Sequence, residues 1–242
     1  MSNYLVDGYH IESAATAPVS ERVAFIRRTY AHVAGAGVAF VGLSVLLQVS
    51  GIAEQIMLQL FTSKIAWLGL MIVFIGGTWI AHNMAYARSN IGVQYAGLTL
   101  YVLLYTVLFT PILTLASQPK YGGSPQLPLQ AGIVTLAVFG ALTVAVFASG
   151  RDFSFLGPIL WVCSFAALGL IFAAVLFGFS LGLVFWAAMV ALFAAYIIYD
   201  TSNIIHHYGT HEHVAASMAL FGSAAMLFYY ILRIFMAFRS SD

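Results

Sequence analysis

Residues Phe185 to His207 read FWAAMVALFAAYIIYDTSNIIHH. The run from Phe185 to Tyr199 carries no charge and no glycine or proline, so nothing in it stops a helix. With Leu181 to Val184 in front, it approaches the roughly 20 apolar residues that a bilayer-crossing helix requires. It then ends on a carboxylate, Asp200, with no turn signal between. Tyr196, Asp200, Asn203 and His207 recur at helical spacings of four, three and four, which places them on one polar stripe of an otherwise apolar helix. A carboxylate inside a membrane helix costs about 2.5–3.5 kcal/mol near the bilayer centre, so it faces a bundle interior or a water path. A second reading stands beside this one, in which Asp200 caps a short helix starting at Thr201.

The rest of the chain resembles this stretch. Of 242 residues, 62% are hydrophobic and 7% charged, against about 25% charged in soluble domains. Such a chain cannot cover a water-facing surface, which sets aside a soluble enzyme, a nucleic-acid binder and a disordered scaffold. Apolar runs fall at Tyr30–Val49, Ile65–Tyr86, Ile91–Ala116, Gln130–Ser149, Phe155–Phe177, Leu181–Tyr199 and Val214–Phe238. The expected fold is all-α: a polytopic integral membrane protein with seven helices. Residues 1–28 form a polar tail without an early apolar h-region, and residues 29–239 form a single transmembrane domain. Cys163, the sole cysteine, excludes an intramolecular disulfide and reads as a small buried residue.

Successive helices alternate direction, so the tail and the loops after the second, fourth and sixth segments share one side. That side holds all seven histidines, with Arg88, Arg151, Asp152, Asp200 and Glu212, while the opposite loops carry Glu54, Lys64 and Lys120. The positive-inside rule then puts the N-terminus in the cytoplasm. If the last segment crosses fully, Arg233 and Arg239 join the far side and the count of basic residues is five against four. If it is re-entrant, the count is seven against two.

Asp152 precedes the fifth segment and reads as a helix cap or first-turn acid, with a gating role as the other reading. His206, His207, His211, Glu212 and His213 form a tract around Gly209. Interfacial histidines able to respond to pH are the main reading and a metal site the lesser, since the spacing matches no familiar helical metal pattern. Gly178-Phe179-Ser180-Leu181-Gly182 matches the G-x-S-x-G pattern of hydrolases, but parity puts it across the membrane from every histidine, so it reads as a tight interhelical turn.

Three stretches together resemble the Bax inhibitor-1 family, also called the transmembrane BAX inhibitor motif family, and within it the bacterial YccA branch. They are Tyr199-Asp200-Thr201-Ser202-Asn203-Ile204-Ile205, Arg151-Asp152-Phe153-Ser154-Phe155-Leu156-Gly157, and Leu227-Phe228-Tyr229-Tyr230-Ile231-Leu232-Arg233. The resemblance implies a bundle whose last helix is central, no enzymatic activity, no cofactor, and a bacterial inner-membrane location. For some relatives it implies a pH-sensitive calcium leak in which two aspartates share a site latched by an arginine. Asp200 matches the first aspartate and Arg88 the arginine, whereas Ser223 stands at the second. One carboxylate and a hydroxyl make a weak calcium site and no coupled dyad. The YccA branch implies instead a partnership with an FtsH-type membrane protease. The candidate ion-path residues are thus Asp200, Arg88, Ser223 and Asn203, with His206, His207 and Asp152 as pH-responsive candidates. The lipid bilayer is the expected partner and nucleic acid is not.

Overall fold

The computed structural model describes residues 13–87 and 90–239. Its helices are α1 (Val19–Val49), α2 (Ile52–Thr62), α3 (Lys64–Ala85), α4 (Ile91–Ser117), α5 (Gln126–Ser149), α6 (Leu156–Phe177), α7 (Leu183–His206) and α8 (His213–Arg239). All but α2 are long and apolar enough to cross a membrane. Helices are the economical solution there, because a backbone in hydrocarbon must satisfy its own hydrogen bonds. Large side chains such as Ile65, Phe177 and Val184 stand almost fully exposed, the pattern of a lipid-facing wall.

The last helix is the core. α8 packs against α1, α4, α5 and α7, and more lightly against α3. Val214, Ala215, Ala216, Met218 and Leu220, spread around its circumference, are all sealed. A helix apolar on every side is one surrounded by other helices. α6 is the outermost, resting on α7 and α3, with only Leu160 and Ala167 buried. Cys163 lies on its exposed face, so the expected interior cysteine is corrected to a lipid-facing one. Close approach of α3 and α4 depends on Gly97, where a Cβ would strike the Ala81 carbonyl and the Met84 side chain.

The described contacts agree with the face assignment. At one end the Ala14 N–H donates to the Tyr208 carbonyl, Asp152 meets His207, and His32 packs on His213. At the other, Lys120 pairs with Glu54, and Lys64 approaches Gly178. α8 runs unbroken for 27 residues, about 40 Å at 1.5 Å per residue, which is a full crossing rather than a re-entrant loop. Arg239 therefore reaches the far end, and among the described residues the basic count is four against four: Arg22, Arg27, Arg28 and Arg151 on one side, Lys64, Lys120, Arg233 and Arg239 on the other.

Two features depart from the expectations. α1 begins at Val19, directly after Pro18, so residues 19–28 of the expected tail are its first turns. Residues 13–17 are also tied down: Ser13 bridges Gly209, Arg22 Nη2 donates to the Ala15 carbonyl, and Ala14 and Ala17 are buried. The stretch between Gly51 and Lys64, expected as a loop, contains α2. Ala53, Met57 and Leu60 share one face of it and are buried, mainly against α4. Eleven residues are too few to span, so α2 covers the bundle's far end.

Candidate functional site

α7 continues through Asp200 to His206, so the helix-cap reading of Asp200 is overturned. Asp200 sits six residues, about 9 Å, inside the end of α7 and is 7% exposed. Its Oδ2 accepts a 2.5 Å hydrogen bond from Ser223 Oγ, which comes from the middle of α8 and is equally buried. No ion pair reaches Asp200 among the described residues. Arg88, the expected latch, lies outside the described residues.

Asp200 and Ser223 line a cavity of about 270 Å³ with Tyr101, Tyr105, Tyr196, His82 and Ser164. Its polar groups come in pairs: the Tyr101 and Tyr105 hydroxyls lie 3.2 Å apart, and Ser164 and Tyr196 lie 2.8 Å apart. Gly222 is what leaves room for the tyrosines, since a Cβ there would collide with both hydroxyls.

The polar stripe of α7 is divided between two spaces. Tyr196 and Asp200 face the inner cavity. Asn203 and His207 line an outer cleft of about 440 Å³ with Tyr86, Ser154, Tyr199, Tyr208 and Glu212. Burial pushes the pKa of the Tyr86 phenol above its ordinary value, and that of Tyr208 well above it, so both enter the cleft as neutral hydroxyls. His206 belongs to neither space; its Nδ1 lies 3.0 Å from the Ser202 carbonyl of its own helix.

Asp152 is not the cap of α6. Phe155 occupies that position without a side-chain cap. The carboxylate instead closes its own turn, with Oδ1 accepting from the Ser154 N–H at 2.8 Å, and it ties the α5–α6 connection to α7. His207 Nε2 lies 3.0 Å from Oδ2, and Ser202 Oγ donates to Oδ1 at 3.4 Å while accepting from the Phe153 N–H at 2.8 Å, so both residues link the same two segments. The Ser154 backbone N–H, helped by its hydroxyl and His207, holds the Asp152 carboxyl below its ordinary range despite partial desolvation.

Among the described residues, no group of three or more His, Cys, Asp or Glu side chains is arranged to hold a metal. The histidine tract is spread: His207 turns to Asp152, His213 packs on His32, and His211 stays with Glu212. Ser180 precedes α7 and His206 ends it, so about 36 Å of helix separates the G-x-S-x-G serine from that imidazole. Tyr101, Tyr105, His82 and Ser164 were absent from the sequence expectations. The i, i+4 pair of tyrosines within an apolar span was the available signal.

The family described as "Inhibitor of apoptosis-promoting Bax1" matches residues 22–240. A BI1-like protein of Arabidopsis thaliana is 40% identical over 120 residues, covering 44% of this chain and 43% of its own length. Bax inhibitor 1 of Schizosaccharomyces pombe is 34% identical over 149 residues, 59% of this chain and 54% of its own. These alignments span about half the length of those relatives. The Golgi anti-apoptotic protein of Vaccinia virus (strain Lister) is 31% identical over 236 residues, 92% of this chain and 89% of its own. No solved structure matches. With a family match over nearly the whole chain, and the Asp200 and Arg233 stretches inside it, the chain belongs to the Bax inhibitor-1 family.

Proposed function

We propose that this protein is a non-enzymatic leak path for cations across a bacterial inner membrane, with its N-terminus in the cytoplasm. The observation that carries the reading is the Asp200 carboxylate. It is buried within a spanning helix, lines a polar cavity, and is hydrogen-bonded to a neutral serine rather than neutralised by a described cation. The inner cavity and the outer cleft fall on successive turns of the α7 stripe, a placement that supports an ion route from the histidine-bearing side. Arg88 would latch Asp200 in the closed state, and protonation of Asp200 would release the latch, so leak rises when that side is acidified. Calcium would bind weakly, because one carboxylate and a hydroxyl fall short of the 6–8 oxygens the ion takes. Asn203 and His207 would guide ions in the outer cleft, and Asp152 would set the position of His207. Flux measured in proteoliposomes tests the reading: it fails if Asp200→Asn and Arg88→Ala leave both leak and its pH response unchanged.

Ser223 favours a second reading, since the neutral hydroxyl stands where conducting relatives are expected to carry a carboxylate. Here the chain, similar to the YccA branch, regulates an FtsH-type membrane protease without conducting. The tethering of residues 13–17 to the α7–α8 connection leaves the outer helix faces for such a partner. Co-purification with the protease, together with absence of flux, separates this reading from the first.

A further inference from the structure

At the end of the bundle away from Asp200, the Arg233 guanidinium lacks a described counter-charge. Arg233 lies six residues before the end of α8, about 9 Å along its axis. Its guanidinium sits 5.9 Å from the ring centre of Trp186, in the first turn of α7, and 5.6 Å from that of Tyr229. One N–H, on Nη2, donates to the Tyr229 hydroxyl at 3.2 Å. Glu54 is the described carboxylate at this end, and Lys120 and Tyr121 occupy it. A guanidinium at this depth with no described carboxylate beside it favours an anion as its partner.

The surroundings identify the level in the bilayer. Trp and Tyr concentrate where hydrocarbon meets headgroups, and Trp186 follows α7's start by only three residues. Both rings stand beside the guanidinium, and the Tyr229 hydroxyl takes one N–H of its edge. Nε and Nη1 make no described hydrogen bond, yet neither is sealed from the surface. A planar fork of donors at headgroup depth matches two oxygens of a phosphate.

We propose that Arg233, framed by Trp186 and Tyr229, is a binding site for the phosphate of an anionic phospholipid in the leaflet opposite the histidine-bearing side. The site is independent of the leak reading, since it lies at the other end of α8 and involves none of the Asp200 groups. An anionic lipid brings a net charge that neutralises Arg233, whereas a zwitterionic lipid carries its own cation and gains less.

The test uses full-length protein, delipidated in detergent, with melting temperature followed during titration with phosphatidylglycerol, phosphatidylcholine or inorganic phosphate. Phosphatidylglycerol should raise the melting temperature of the native chain and of Arg239→Gln, and do so much less for Arg233→Gln. Arg233→Lys keeps the charge but loses the fork, and serves if the glutamine variant does not fold; it should need about tenfold more lipid for the same shift, the equivalent of one charge-assisted hydrogen bond. An undiminished phosphatidylglycerol response in Arg233→Gln or Arg233→Lys overturns the site. A full response to inorganic phosphate overturns the lipid as its source.

Discussion

Ser223 Oγ donates a 2.5 Å hydrogen bond to Asp200 Oδ2, joining the middle of the central helix α8 to the polar stripe of α7. The bond gives a buried acid its single described partner, and it crosses the most extensive helix contact in the bundle. Removing either member therefore has different consequences. Ser223→Ala leaves an acid in a low-dielectric interior without its donor and should cost about 1.5–3 kcal/mol. Asp200→Asn keeps a hydrogen-bonding group of the same shape and should cost less. Thermal unfolding of both variants in one detergent checks the order; equal losses would show that the bond contributes little.

Ser223→Asp introduces the second carboxylate into the same contact. Two acids this close cannot both ionise easily, so one holds its proton to higher pH and the pair titrates in two coupled steps. Proteoliposome flux should then acquire a steeper pH dependence than that of the native chain. An identical profile would mean that the contact does not govern conduction.

Gly222 adjoins Ser223 and admits the Tyr101 and Tyr105 hydroxyls to the cavity. Gly222→Ala should push both tyrosines aside, at about 1–3 kcal/mol of overpacking, and lower any flux through the cavity. Melting temperature and flux measured together distinguish a packing defect alone from a blocked path.

The Asp152 carboxyl titrates below its ordinary range because the folded chain stabilises the ionised form. A depressed acid contributes stability that is present above its unfolded pKa and is lost as pH falls through the folded one. The tie between the α5–α6 connection and α7 should therefore hold at neutral pH and loosen only in strong acid, below about pH 4. Asp152→Asn should remove this acid dependence. Because Asp152 and His207 are both partly exposed, the loss of stability at pH 7 should stay within about 1 kcal/mol. Hydrogen exchange of the Phe153 and Ser154 amides as a function of pH reads the tie directly.

On the far side, Glu54 is held below its ordinary range by hydrogen bonds from Lys120 and Tyr121, and Lys120 is raised in turn. Both are exposed. Glu54→Gln should speed hydrogen exchange at residues 119–123 without measurable change in melting temperature. A large fall in melting temperature would instead give α2 a structural weight that its short buried face does not suggest.

Much of the architecture was legible because bilayer physics is unforgiving: spans need length and apolarity, and alternating helices must sort their polar connections by side. The stripe of Tyr196, Asp200, Asn203 and His207 was visible from spacing alone. α2 escaped because Gly51 and Lys64 suggested a loop, although Ala53, Met57 and Leu60 already marked a face. The start of α1 escaped because Glu21, Arg22, Arg27 and Arg28 read as tail. They are the solvated turns of a helix longer than the membrane is thick.

By itself, then, the amino-acid sequence determined a seven-span helical membrane protein with its histidines on one side and a carboxylate inside a span. The family resemblance had paired Asp200 with Ser223, and only the tertiary structure decided that a hydrogen bond joins them, that Tyr101 and Tyr105 line the same space over Gly222, and that Arg233 lies against Trp186. Periodicity and hydropathy report how each helix meets its surroundings. Which side chains converge depends on how helices pack against one another, and in hydrocarbon that is settled by close contacts between small residues and by buried hydrogen bonds rather than by apolarity.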